Sequence, residues 1–336
     1  MTPETHSCDL CGGREFEMIG TRARDGRPLE TQICRTCGLV SHARSPSETE
    51  LREYYAGNYR LEYNGEASPS ARRVMRAWLN GQRILRQVSP LLPAGGRVLE
   101  AGAGIGCTVR SFADAGFRAE GVDPGGEFLG FARNRLKADV QVCSLYDLPD
   151  SHRFDAVLLV HVIEHLASPR QAVEKISGLL KVGGMLYVEC PNLQAPFAPR
   201  DRLFHVAHIH NFVPATLKML VESCGFRLRQ RFGDAGDSNL QMLFQHSCER
   251  RLNLDTQNFQ RTREDLNRAS WARYHLRRRY VADRLRKLGS YAREYATSAS
   301  FVRNLVTRYA ADGVRGSQGE NTDGESRAAL QLRRTA

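Results

Sequence analysis

No apolar run in this sequence approaches the roughly 18 residues needed to cross a bilayer, which argues against a membrane-spanning helix. The opening Met-Thr-Pro-Glu-Thr-His-Ser-Cys has neither the basic nor the apolar segment of a secretory leader, so a cytoplasmic location is expected. Nor is the cysteine count even. Nine are present, four of them in two Cys-x-x-Cys pairs, which speaks against a disulfide framework and for thiolate metal ligands in a reducing compartment. Proline is missing after Pro214, so none interrupts a helix in the last third of the chain. A charge excess is missing from residues 1–246, where 29 Lys and Arg meet 27 Asp and Glu, and this removes the electrostatic reason to place nucleic acid in a site there. The net charge of +11 resides instead in residues 247–336, with 19 basic against 10 acidic side chains, a segment suited to a polyanion.

Among the features that are present, Cys8-Asp9-Leu10-Cys11-Gly12 and Cys34-Arg35-Thr36-Cys37-Gly38 form two knuckles. Each offers two sulfurs, and the glycine after each pair lets backbone amides point at the thiolates, the pattern of a zinc ribbon over 1–45. A redox pair is the competing reading, but that chemistry uses one pair on a strand-to-helix turn, and here there are two. Cys8, Cys11, Cys34 and Cys37 are therefore expected to close a structural Zn2+ shell with no open position for catalysis.

Residues 46–95 read as a helical connector or cap. Ser47 followed by Glu50 is a capping signature for a short helix. Residues 68–92 then carry Val74, Trp78, Ile84, Leu85 and Val88 near helical spacing before Pro90 and Pro93 close the segment. From Arg97 to Gly106 a short buried strand runs into a glycine loop, with Glu100 at the strand end and Gly102, Gly104 and Gly106 free to turn tightly against a ligand. A dinucleotide loop would have its third glycine at position 107, where this chain has Cys107, so a neutral or cationic nucleoside suits the loop better than a pyrophosphate. Apolar runs at 119–123, 154–160 and 179–188 alternate with helical sequence, which implies a doubly wound, parallel α/β sheet with its ligand at the strand carboxyl ends. Residues 226–232 and 240–246 flank a Gly-Asp-Ala-Gly-Asp-Ser loop and read as an antiparallel hairpin.

Taken in order, Glu100-x-Gly-x-Gly-x-Gly106, the acid-ended run 119–123, the run 154–166 and the Gly183-Gly184 turn into 185–188 resemble the motifs of class I S-adenosylmethionine-dependent methyltransferases. Val182 stands where that family usually has proline. The resemblance implies a mostly parallel seven-stranded sheet with an antiparallel closing hairpin over 96–247, and S-adenosyl-L-methionine as cofactor. It carries contacts to the methionine and ribose portion onto Glu100, Ala101, Gly102, Gly104 and Gly106, the ribose diol onto Asp123, the adenine border onto Pro124, and a position beneath the cofactor onto His161. Similar proteins set an acid against the adenine amino group; this chain has Ser144 there, leaving its hydroxyl and the Leu145 backbone to serve the base. Tyr54, Tyr55, Tyr59 and Tyr63 either cover the methionine end, as tyrosines of similar proteins do, or pack as ordinary aromatics.

His161, Glu164 and His165 stand at i, i+3 and i+4 and share a face if their turn is helical. The turn 163–166 resembles one in ubiquinone-pathway O-methyltransferases and small-RNA 2′-O-methyltransferases, which add a further acid and a distant histidine to hold a divalent metal. Here His161 replaces the first acid, and His205, His208 and His210 lie in a loop expected to cover the acceptor. For Glu164 and His165 a hydrogen-bonded structural role, a general base and a metal site all stay open; Glu164, His165 and His210 are the catalytic candidates.

In the tail segment 248–312, Val281, Leu285, Leu288, Ala292, Tyr295, Ala299, Val302, Val306 and Tyr309 follow a four-three alternation and predict a long amphipathic helix. Its seam suits packing on the enzyme body or on a second subunit in a homo-oligomer. Its arginine faces suit either plain solvation or peripheral contact with the inner membrane surface. Residues 313–336 are expected to be disordered. A zinc ribbon ahead of such a domain resembles bacterial sugar and cell-surface-polysaccharide methyltransferases, which implies a small-molecule or saccharide acceptor. RNA 2′-O-methylation is the alternative raised by the Glu-His turn and the cationic tail, with nucleic acid the less favoured partner. A non-catalytic interaction protein is the third reading, and the intact glycines and Asp123 speak against it.

Overall fold

In the computed structural model, strands β1 (Phe16–Arg22) and β2 (Pro28–Cys34) pair antiparallel across the Asp25-Gly26 turn, and β3 (Val40–His42) adds to β2. The residues described are 7–57, 68–126, 128–150, 154–195, 198–234, 236–268, 286 and 289–310. Tyr59 and Tyr63, the stretch 269–285 and the tail 313–336 lie outside them, as do the side chains of Tyr54 and Tyr55. Helix α1 (Glu48–Gly57) starts at the expected box: the Ser47 amide and hydroxyl donate to Glu50 Oε2 at 2.7 and 2.9 Å, and the Glu50 amide returns to Ser47 Oγ at 3.2 Å. Helix α2 (Ala71–Val88) is shorter than the expected segment and buries Val74, Trp78, Ile84 and Val88.

Next come β4 (Arg97–Ala101), α3 (Cys107–Asp114), β5 (Arg118–Asp123), α4 (Leu129–Arg135), β6 (Val140–Val142), β7 (Phe154–Val160), α5 (Pro169–Leu179) and β8 (Leu180–Pro191). After β9 (His210–Asn211) and α6 (Pro214–Ser223), the chain closes the sheet with β10 (Phe226–Phe232) and β11 (Asn239–His246), followed by α7 (Asn258–Arg268) and a helix α8 over 289–310. The seven-stranded order is β10-β11-β8-β7-β4-β5-β6, parallel from β8 to β6 and antiparallel in the β10-β11 hairpin. Period-two alternation explains the two layers. On β7, Val157 and Leu159 join Ile176 and Leu220 of α5 and α6, while Ala156 and Leu158 join Ile84 of α2 and Phe112 of α3. Each fully buried Val, Leu, Ile or Phe among them contributes ~1.5–3 kcal/mol.

The small N-terminal sheet is completed from afar. Its order is β1-β2-β3-β9, so the loop leading out of β8 returns to pair Val40 with Asn211 and Ser41 with His210. Helix α8 lies on the opposite flank, where Leu305 and Tyr309 are buried with Trp78 and the Tyr309 hydroxyl donates to Asp114 Oδ2 at 2.5 Å. Its buried face runs through Ser298, Leu305 and Tyr309, with Phe301 half-buried, whereas Tyr295 and Ala299 of the expected seam are exposed. A straight helix repeats every 3.6 residues, so a seam drawn on a 3.5-residue repeat drifts off the contact face.

Candidate active site

A cleft of about 950 Å³, open solvent at its mouth included, lies at the carboxyl ends of β4, β5, β6 and β7. Ala101, Gly102, Asp123, Pro124, Ser144 and Leu145 line it, all expected cofactor contacts, together with His161 and His165. The glycine loop shapes its floor. Gly102 has φ +82°, and a Cβ there would stand 2.4 Å from Val162 Cγ2, so loop and opposing turn meet only because the side chain is missing. Asp123 is fixed by two backbone amides: Gly104 donates to Oδ2 at 2.9 Å and Gly125 to Oδ1 at 2.8 Å. A carboxylate fixed in this way on the cleft wall, at the end of β5, has the acceptor chemistry that suits a vicinal diol.

Glu100, Gly104 and Gly106 are not among the residues lining the cleft. Gly106 (φ +76°) faces α4 instead, where a Cβ would come 2.7 Å from Ala132 Cβ. Glu100 turns beneath the loop to the first turn of α3, bonding the Thr108 side chain and the Val109 amide. Burial outweighs those bonds and raises its carboxyl to about 8, so it is largely protonated near neutrality. The sequence carries ligand contacts onto both Glu100 and Asp123; the structure places Asp123 on the cleft wall and Glu100 buried beneath the loop, outside the lining.

The turn after β7 gathers charge. His161 has φ +54°, a conformation uncommon outside glycine, and its Nδ1 meets Glu164 Oε1 at 3.3 Å. On its other side Asn239 donates to His161 Nε2 at 3.4 Å and to Glu189 Oε1 at 3.2 Å. Glu189 is 2% exposed and receives Arg83 of α2 at 2.5 Å and the Tyr187 hydroxyl at 3.0 Å. Desolvation opposes charge on His161, but Glu164 and Glu189 outweigh it and raise its pKa. For Glu164, burial is likewise overcome, by the His161 hydrogen bond and the neighbouring imidazoles, and its carboxyl falls to about 2. Sequence reasoning missed Arg83, Glu189 and Asn239. The signal for Glu189 was a lone acid inside the apolar run Met185-Leu-Tyr-Val-Glu-Cys190.

Behind this turn sits the histidine loop 203–212, none of whose residues is among those lining the cleft. His165 Nδ1 donates to the Ala207 carbonyl at 2.7 Å, and the His208 ring stands edge-on to His165 at 5.0 Å. Burial lowers both imidazoles, His208 to about 3, so both are neutral at pH 7. His210, expected among the catalytic residues, goes elsewhere: it is paired in β9, stacked on Phe212, and absent from the cleft lining. The tight pairing of β9 with β3 holds that ring in place, and His208 is the histidine brought to the Glu164-His165 pair. Glu164, His165 and His208 present ligand atoms all within 4.8 Å of one another, and Glu164 Oε2, buried, has no hydrogen-bond partner among the described residues. This set could hold a divalent cation.

The four knuckle cysteines converge as the spacing implied. Sγ distances are 3.5 Å for Cys8 to Cys37 and 3.6 Å for Cys11 to Cys34, close to the ~3.8 Å edge of a tetrahedron with zinc–sulfur bonds of ~2.3 Å. All four sulfurs lie within 4.8 Å of one another, so the donor set fits Zn2+. The ribbon is tied to the site at two points. Asp9 accepts the Ser168 hydroxyl at 2.6 Å and the Arg170 amide at 2.8 Å at the start of α5, and the His42 ring meets the His205 carbonyl at 3.2 Å in the histidine loop.

Residues 71–231 match the family model of a methyltransferase domain. The chain is 31% identical over 159 residues to a probable S-adenosylmethionine-dependent methyltransferase of Mycolicibacterium smegmatis, covering 46% of this chain and 62% of that protein. It is 32% identical over 158 residues to the tRNA U34 carboxymethyltransferase of Aeromonas hydrophila, covering 43% and 48%. To the ubiquinone biosynthesis O-methyltransferase of Xanthomonas axonopodis it is 32% identical over 121 residues, covering 34% and 51%. The chain thus spans about half the length of the curated relatives it matches. The crystal structure of 1,6-didemethyltoxoflavin-N1-methyltransferase from Burkholderia thailandensis, with bound S-adenosylhomocysteine, aligns with a TM-score of 0.46 at 20% identity over 62% of this chain and 96% of that one. Sheet order and glycine loop are those of the class I S-adenosylmethionine-dependent methyltransferase fold, in keeping with the methyltransferase-domain match over residues 71–231.

Proposed function

We propose that the protein transfers a methyl group from S-adenosylmethionine to a small-molecule acceptor, with a saccharide hydroxyl as the favoured class. Asp123 would hold the ribose diol, and the glycine loop, Pro124 and the end of β6 would surround the rest of the nucleoside. The bound cofactor supplies an activated methyl on a sulfonium, so the protein's tasks are to align a nucleophile, exclude water and receive a proton. His165 serves as that receiver. Its Nδ1–H is anchored on Ala207, which leaves Nε2 as the basic nitrogen, and the Glu164 carboxylate 3.8 Å from Nε2 stabilises the imidazolium that forms.

The observation that carries the small-molecule reading is the cleft's composition. Among the described residues that line it there is no Lys or Arg, while α1 contributes Glu48 and Leu51 to its wall. A phosphate backbone would need cationic contacts there. The test is incubation with methyl-labelled S-adenosylmethionine and two acceptor pools, nucleotide sugars with oligosaccharides in one and total RNA in the other. Label in the first supports the proposal; label in RNA alone overturns it. A second reading, in which Glu164, His165 and His208 hold a divalent cation that positions acceptor oxygens, is favoured by the orphaned Glu164 Oε2. We also assign Zn2+ to the four cysteines in a structural role.

A further inference from the structure

The strand ends along the cleft follow the sheet order β7, β4, β5, β6, presenting His161, Gly102, Asp123 and Ser144 in turn. With the ribose on Asp123, the base falls at the end of β6, beside Cys143, Ser144, Leu145 and Tyr146. A 6-aminopurine carries an exocyclic NH2 whose two donors need acceptors once they leave water. The end of β6 offers little: Ser144 Oγ already accepts the Tyr146 amide at 3.3 Å. Among the described residues lining the cleft, two carry carboxylates, Asp123 and Glu48.

Glu48 does not come from the sheet. It sits half-buried in the first turn of α1, where the Ser47-Glu50 box fixes the backbone. Its charge is felt at the base end: burial, then Glu48 and Asp9, push the Tyr146 hydroxyl above its ordinary range. The geometry points to Glu48 as the residue that reads the amino group of the purine, so that the cap helix selects a 6-amino over a 6-oxo nucleoside. An oxo group in that place would set its lone pairs against the carboxylate and leave the acceptor unused.

This inference rests on the reading of the cleft as the cofactor site, and its test separates the two. S-adenosylhomocysteine and its 6-oxo counterpart, S-inosylhomocysteine, are titrated calorimetrically into the full chain, wild type and Glu48→Gln. The wild type is expected to favour the adenine compound by about tenfold or more, and the variant, whose amide both donates and accepts, to narrow the gap to about threefold or less at unchanged melting temperature. Equal discrimination by both proteins overturns the role of Glu48 while leaving the cofactor site standing. Failure of the wild type to bind either compound overturns the cofactor site, and the inference with it.

Discussion

Asp123 and Glu100 end neighbouring strands as the same chemical group, yet their surroundings give them opposite roles. Two backbone amides hold Asp123 open to the cleft, whereas Glu100, 5% exposed, has its Oε2 without a hydrogen-bond partner among the described residues. Because the folded state raises the Glu100 carboxyl from 4.5 to about 8, its contribution to stability is full below pH 4.5 and is lost as the pH climbs toward 8. Glu100→Gln removes that dependence. Urea melts of both proteins should therefore run parallel below pH 4.5, with the variant gaining on the wild type by about 1.4 kcal/mol per pH unit above it. A constant difference across that window would show that Glu100 is ionised in the fold. None of this was legible in the sequence, since an acid at a strand end carries no mark of whether it points up into a cleft or down under a helix.

At the scale of elements, the ribbon is the clamp of the histidine loop. β3 pairs with β9, the Arg24 amide donates to the Phe204 carbonyl at 2.8 Å, and Ile33 and Val40 share a core with Leu203 and Phe204. Removing the zinc proposed for the four cysteines should accordingly be felt beyond them. Stripping the metal with a chelator is expected to raise amide exchange in β2, β3 and 203–212 while β4, β5 and β7 stay protected; unchanged exchange in 203–212 would show that the loop holds itself. The knuckles, the capping box of α1, the strand of β7 and the closing hairpin were legible because each is local, written in spacing, alternation or turn residues. β9 was not: it has two residues and no period of its own, and its partner lies in the ribbon. That missing pairing is why sequence reasoning chose His210 over His208.

For the whole molecule, α8 closes the flank of the domain opposite the ribbon, with its apolar face spent on α2 and α3 and with Arg293, Arg303 and Arg308 exposed. No helix among the described residues is long and apolar enough to cross a membrane. Tyr309→Ala deletes a ring that is 1% exposed and should cost ~3 kcal/mol in denaturant unfolding without changing nucleoside affinity, because Tyr309 packs beside Trp78, bonds Asp114 and is not among the residues lining the cleft. A loss of affinity to match would mean that α8 shapes the site. The doubly wound architecture was readable from four ordered motifs; the face α8 presents was not, because an amphipathic seam fixes a helix but not its neighbour. The most direct test of the account is calorimetric titration of S-adenosylhomocysteine into the wild type and Asp123→Ala. Saturable 1:1 binding, weakened by about tenfold or more in the variant, is predicted. Absence of binding to the wild type, or equal affinity in both proteins, would contradict a nucleoside held on the strand-end carboxylate.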